Sequence, residues 1–362
     1  MKHRFITSFF LLAMFLLVGQ GCIGSSTGAD GVKTTGPAGM YITTDKGEHW
    51  QPIVSYPTAE GVQNLSGASV YKIVPDLHDL QTLYWLSREH GMFFTTDDGK
   101  TWQRVKGSLE SGFVYDLAIH PRDPCTIYAT NGTFIFKSED CTRSWVEVYR
   151  ESRTDVGIRS VEFHQFPPYQ IFTGSTNGDV LVSNDFGESW SVSERTGMSI
   201  SDIVADPFQK DRLYISTKTN GLYRTDDGGT VWTSLSAHLS AFPQALEYRR
   251  LVLHPTKPGV LYWISTYGIL VSEDAGDTWT AMSLITPPGS AQIYTFGVNP
   301  QNDNDMYYTA TINNRSTFYR SIDGGQSWIT RRLPTGQIPT ALFPHPEHPD
   351  WVYLGFTIPP KT

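Results

Sequence analysis

The chain of 362 residues has little of several things that would narrow its role quickly. Cysteine occurs three times, too sparsely for a scaffold built on disulfides. After the first eighteen residues no apolar stretch approaches the ~20 residues that a bilayer-spanning helix needs. Basic runs are missing as well: acidic residues outnumber Lys and Arg by 36 to 28, for a formal net charge of −8, which argues against a nucleic-acid duplex as partner. There is no Gly-x-Ser-x-Gly, no His-Glu-x-x-His and no phosphate loop, so the common esterase, zinc-protease and nucleotide-binding chemistries have no motif to stand on.

What is present begins with Lys2, His3 and Arg4, an apolar run from Phe5 to Val18, and "GQGC" ending at Cys22. That charged, apolar, small-residue order is an export signal. Its end resembles a bacterial lipobox, although Gly19 holds the place usually taken by Leu. The expectation is removal of residues 1–22, a membrane anchor through lipidated Cys22 and a Gly/Ser/Thr-rich tether over 23–37. With Ile23 rather than Asp after the cysteine, the anchored protein would sit in the cell envelope, at the outer membrane in a Gram-negative host. Without Lys2 and Arg4 the chain has 26 basic and 36 acidic residues.

Aromatic residues make up 13% and glycines number 32, an extended, turn-rich composition that suggests an all-β protein. A repeat then organises the whole chain. Aligned on tryptophan, Ser/Thr-x-Asp-x-Gly-x-x-Trp occurs seven times: "TTDKGEHW", "TTDDGKTW", "SEDCTRSW", "SNDFGESW", "TDDGGTVW", "SEDAGDTW" and "SIDGGQSW". The aspartates are Asp45, Asp97, Asp140, Asp185, Asp227, Asp274 and Asp323. Successive tryptophans lie 52, 43, 45, 42, 47 and 49 residues apart, room for four short strands each. The Asp carboxylate and the Ser or Thr hydroxyl suit hydrogen bonding inside a tight turn, Gly supplies its left-handed backbone, and Trp buries a large apolar surface. A calcium loop would need oxygen ligands recurring at several positions, but only the third-position Asp recurs.

These motifs resemble the Asp-box, or bacterial neuraminidase repeat, of sialidases, sortilin, xyloglucanases and the photosystem II assembly-factor propellers. The resemblance covers nearly the whole chain after the signal and implies a structural role for the boxes. Strand wording such as "LYW" and "IYA" is nearer to sortilin and xyloglucanase than to the assembly factors.

Each unit reads as four strands, A to D, with the box between C and D. The first box has only C and D strands, and the C-terminus, "IPTAL" then "VYL", has only A and B. Joined, they complete a seventh blade, so the expected fold is a single seven-bladed β-propeller over 38–362 with no free edge at its closure. Cys125 and Cys141 flank a hairpin turning at Asn131-Gly132. In an oxidising compartment they favour a disulfide, supporting the one box in which Thr142 replaces Gly; two half-buried thiols are the alternative.

All boxes should lie on one rim, leaving variable loops on the opposite face. There strand A opens beside the channel, and its third position reads Lys72, Asp116, Ser160, Asp202, Arg250, Thr295 and Thr340. With Arg159 and Arg249 from the second position, Lys72 and Arg250 form a cationic sector, read either as a ligand-binding ring or as charges neutralised by Asp116 and Asp202. Those two aspartates are the weak catalytic candidates, as a glycosidase pair, although another blade intervenes between theirs and direct approach looks strained. The Arg-Ile-Pro element that the sialidase resemblance implies is missing, and the xyloglucanase resemblance implies a cleft between two propellers where this chain has one. His120 and His254 fall in A–B turns, as does "PHPEHPD" with His345 and His348; turn hydrogen bonding is expected of them, and no metal or other cofactor. The reading is therefore a non-enzymatic scaffold whose partner is an envelope or extracellular protein, or a glycan. The alternative is a glycoside hydrolase or polysaccharide-binding protein.

Overall fold

A computed structural model describes residues 34–359, so the signal segment, Cys22 and most of the tether lie outside the described residues. Seven four-stranded antiparallel sheets follow one another. One blade, for example, consists of Ile158–Phe163, Ile171–Ser175, Asp179–Ser183 and Ser191–Arg195, paired in that order. The seventh joins the two ends of the described chain: Gly39–Thr43 pairs antiparallel with Val352–Thr357, from Gly39 opposite Phe356 to Thr43 opposite Val352. Every ladder hydrogen bond at the seam is thereby made within one sheet, which closes the ring. The docked region begins slightly before Ala38. Gly336 donates to the Thr35 carbonyl at 3.0 Å and Gln337 to that of Gly36 at 2.8 Å, which shortens the expected tether at its C-terminal end.

The second strand of each blade is buried throughout or nearly so, as in Leu83–Leu86, Leu213–Thr217 and Leu261–Ser265. Faces of neighbouring sheets pack on both sides of it, so it reads as a continuous apolar run rather than an alternating one. The long crossover after Trp50 forms its own hairpin, Ser55–Thr58 with Gly61–Asn64, and the one after Trp232 holds a single helical turn, Ser236–Leu239.

The boxes act as the spacing predicts, and in one respect beyond it. In every box the Ser or Thr hydroxyl donates to the Asp two residues on, at 2.7–2.9 Å, and the Asp accepts the backbone N–H four residues later, at 2.8–2.9 Å. Two consecutive residues take the left-handed conformation, such as Asp98 and Gly99 at φ +61° and +83°. Thr142, at φ +71°, adopts this strained geometry without being glycine, in the box where Cys141 is joined to Cys125. The tryptophans reach further than their own sheet. Trp102 Nε1 donates to Ile53 O at 2.8 Å, and Trp328 Nε1 to Ser283 O at 2.8 Å, tying these two blades to the ones before them, whereas Trp279 Nε1 bonds Gly276 O within its own turn.

Histidine serves this rim too. The Nδ1 of His120 accepts from the N–H groups of Arg122 and Asp123, that of His254 from Thr256 and Lys257, and that of His345 from Glu347 and His348, all at 3.1–3.2 Å. Asp206 caps its A–B turn in the same way with a carboxylate. Burial pushes the three imidazoles below their ordinary range, consistent with a neutral ring acting as acceptor.

Candidate functional site

Strand A of each blade lines the channel. On a regular strand the third and fifth residues would face it and the second would point away, but the register slips at this end. In four blades the residue left out of the pairing is the second one, Arg159, Ser201, Arg249 or Tyr294. A bulge re-aims a side chain, and here all four of these second residues line the mouth, joined in two of the blades by the third, Asp202 and Arg250. The result is a cavity of about 370 Å³ on the face opposite the boxes, lined by Tyr71, Lys72, Arg88, Tyr115, Asp116, Arg159, Ser201, Asp202, Tyr248, Arg249, Arg250 and Tyr294, among others.

One side of the mouth is a closed polar network. Lys72 Nζ lies 2.5 Å from Asp116 Oδ1 and 3.6 Å from Asp202 Oδ1. Ser160 Oγ donates to Asp116 Oδ2 at 2.9 Å and lies 3.4 Å from Asp202 Oδ1; it accepts from the backbone N–H of Ile203. Tyr248 donates to Asp202 Oδ2 at 3.1 Å. The two aspartates are bridged through shared partners, Lys72 and Ser160, rather than by direct approach. At the small radius of strand A, side chains two blades apart converge on one ammonium and one hydroxyl. Burial raises the Asp116 carboxyl against the pull of Lys72. Burial also disfavours the Lys72 ammonium, but the two facing carboxylates outweigh it and hold that group above its usual range.

The other side is different. Arg250, expected as a partner of these aspartates, instead donates Nε to Tyr294 O and Nη2 to Thr340 O, both at 3.0 Å. Arg159 lies over the Tyr115 ring at 4.1 Å, Arg249 over Tyr294 at 5.8 Å, and Arg88 over Tyr71 and Phe113 at 5.3 and 5.4 Å. Phe113 and Tyr115 stack at 3.8 Å, with Tyr71 edge-on to both. Among the described residues, none of these four guanidiniums has a carboxylate within ion-pairing distance. An aromatic face orients a guanidinium without cancelling its charge. Tyr71, Tyr115, Tyr294 and Arg88 escaped the sequence reading. The first three occupy the second column of strand A, beside Arg159 and Arg249, and Arg88 stands in the B–C loop "SREHG".

Towards the box rim the channel turns apolar. The fifth column of strand A reads Val74, Ala118, Glu162, Val204, Val252, Gly297 and Leu342, a single charge among small and branched apolar residues. Burial, reinforced by the Asp116 carboxylate, pushes the Glu162 carboxyl up to about 8 despite Lys72. No group of three or more His, Cys, Asp or Glu among the described residues is placed to hold a metal ion.

Comparison with known proteins accords with the propeller fold. Residues 38–156 and 178–269, more than half of the chain, match the family model described as Sortilin-Vps10 (sortilin, neurotensin receptor 3). The chain is 31% identical over 113 residues to the vacuolar protein sorting/targeting protein 10 of Emericella nidulans, an alignment covering 29% of this chain and 8% of that protein. It is 28% identical over 268 residues to the xyloglucanase Xgh74A of Acetivibrio thermocellus, covering 67% and 28%. The chain thus spans less than a third of the length of these curated relatives. A solved structure of YCF48 bound to D1 peptide superposes with a TM-score of 0.60 at 13% identity, over 82% of this chain and 94% of that one, a likeness of fold.

Proposed function

Because the chain belongs to the Sortilin-Vps10 family, we propose that it is an exported binding propeller, anchored through Cys22, that holds an acidic peptide segment of an envelope or extracellular partner in the mouth opposite the Asp boxes. The observation that carries this reading is the set of four arginines, Arg88, Arg159, Arg249 and Arg250, lining one mouth with no carboxylate within ion-pairing distance among the described residues. Charge left unneutralised in a concave, half-buried site calls for an anion from outside, and planar guanidinium groups suit carboxylates. The tyrosines supply flat, rigid contact area of the kind that carries protein recognition. A related fold is known with a peptide bound, in YCF48.

The second reading, a glycan-acting protein, has the convergence of Asp116 and Asp202 and the xyloglucanase relative in its favour. Against it, both carboxylates contact Lys72 and Asp116 is buried, an arrangement that braces the channel rather than presenting an acid and a nucleophile to a sugar.

The test is a binding screen of the full chain against acidic, neutral and basic peptides and xyloglucan oligosaccharides, beside an Arg88→Ala, Arg159→Ala, Arg249→Ala variant. Arg250 is left in place because it bonds backbone carbonyls of two other blades. Retention of acidic peptides by the parent and their loss by the variant supports the reading. Binding or cleavage of the oligosaccharides, with peptides ignored, replaces it with the second.

A further inference from the structure

The box end of the channel holds a second cavity, of about 670 Å³, whose lining shares no residue with the arginine mouth. Its walls are apolar: Val74, Leu117, Val204 and Leu253, with Pro75, Pro121 and Pro207 from the A–B turns. Into it projects Glu162. The Oε1 of this residue accepts the N–H of Phe163 at 3.0 Å and lies 3.4 Å from Gln165 Nε2; its Oε2 carries no hydrogen bond among the described residues. None of the seven fifth-column positions except this one bears a polar side chain, so the carboxyl does not belong to the pattern that builds the blades.

We propose that this cavity is a binding site for an apolar molecule carrying a primary ammonium group, with Glu162 as the anion that receives the ammonium and the valine, leucine and proline walls covering the apolar body. The surrounding charges select the sign. The groups facing Glu162 are Lys72, Asp116 and Asp202 from the next layer of the channel and His78 from the adjoining turn. Lys72 is already engaged by both aspartates, leaving the interior short of positive charge. A carboxylate ligand would meet three carboxyl-bearing residues, and an alcohol could offer the protonated acid no more than a hydrogen bond. An ammonium completes an ion pair in an apolar surrounding, where such a pair is stronger than in water.

Proton balance follows from the site. Unliganded Glu162 is mostly protonated at neutral pH, because burial raises its carboxyl to about 8. Binding an alkylammonium ion therefore converts the carboxylic acid to carboxylate and sends one proton to solvent, with no other bond formed or broken. At pH 9 the acid is already ionised and no proton is released.

The probes are hexylammonium, hexanol and hexanoate, titrated calorimetrically into the full chain and a Glu162→Gln variant in two buffers of different ionisation enthalpy. The expected result is an affinity order of ammonium, alcohol, carboxylate, with close to one proton released at pH 7 and close to none at pH 9. Glu162→Gln should weaken the ammonium by at least about tenfold and leave the alcohol within about twofold. Equal affinity for ammonium and alcohol in the parent chain, absence of proton release at pH 7, or an unaffected Glu162→Gln variant overturns the proposal. The proton count needs no variant, so a folding defect in Glu162→Gln cannot obscure the answer. Because the arginine mouth takes no part, the outcome is also independent of the peptide-binding reading.

Discussion

The two ends of the channel are built from the same seven blades and obey opposite rules. On the box rim each Asp finds its hydroxyl and N–H partners within its own turn, seven times over. At the mouth the third column is shared by five residue types, Lys, Asp, Ser, Arg and Thr, and four arginines have no carboxylate within ion-pairing distance among the described residues. Repetition marks what every blade needs to fold, and departure from it marks what the protein has in addition. The contrast sorts the carboxylates as well: Asp97 serves its own turn, whereas Asp116 serves the channel as a whole.

The rim itself is less uniform than its motif, and the largest predicted effect tests that. Trp102 is fully buried and bonded to the preceding blade, so Trp102→Ala should cost ~3–5 kcal/mol of stability in chemical denaturation. Trp145 is half-buried and its indole N–H has no partner among the described residues, so Trp145→Ala should cost clearly less. Equal losses would mean that the tryptophans act only through their own turns.

Next comes the box in which Thr142 replaces glycine. Cys125 and Cys141 enclose a short loop, with a sequence separation of 16, and constraining such a loop in the unfolded chain is worth ~3 kcal/mol. Reduction should lower the melting temperature of the parent chain and leave a Cys125→Ser, Cys141→Ser variant unmoved. A reduction-insensitive parent would show that the two thiols are not joined in solution.

The mildest predicted effect is acid sensitivity. Hydrogen bonds from Ser144 hold Asp140 down to about 2, and those from Ser327 do the same for Asp323, whereas an Asp in the unfolded chain ionises near ~3.9. The unfolded state therefore takes up protons first as pH falls. The stabilisation from these boxes is complete above pH ~4 and is lost progressively towards pH 2. Melting temperature measured across that window should fall; a flat profile would mean that the box carboxylates are not held as described.

These contrasts also explain what could be read in advance. Blade number, the closure of Gly39–Thr43 on Val352–Thr357 and the shared rim were legible because each depends on spacing along the chain, and seven copies average out local noise. The mouth was half legible. Lys72, Asp116, Ser160 and Asp202 stood in the right column, and neutralisation by the two aspartates was one of two readings; that it takes Lys72 and leaves Arg250 to backbone carbonyls depends on the radius of the ring, which no single unit encodes. Tyr71, Tyr115 and Tyr294 were hidden by strand alternation, which sends a second-position residue away from the channel unless the backbone bulges. Glu162 could have been found by asking which column contains one residue unlike the other six.

The most direct measurement compares one variant from each end: the affinity of an acidic peptide and the melting temperature, for Arg88→Ala, Arg159→Ala, Arg249→Ala and for Asp97→Ala. Three unneutralised guanidiniums should together contribute on the order of a hundredfold in Kd. The mouth variant should therefore lose that much affinity at an unchanged melting temperature, while the box variant melts earlier and, below its transition, binds as the parent does. Loss of affinity in the box variant with the mouth variant unaffected would contradict the division of the molecule into a folding rim and a binding mouth.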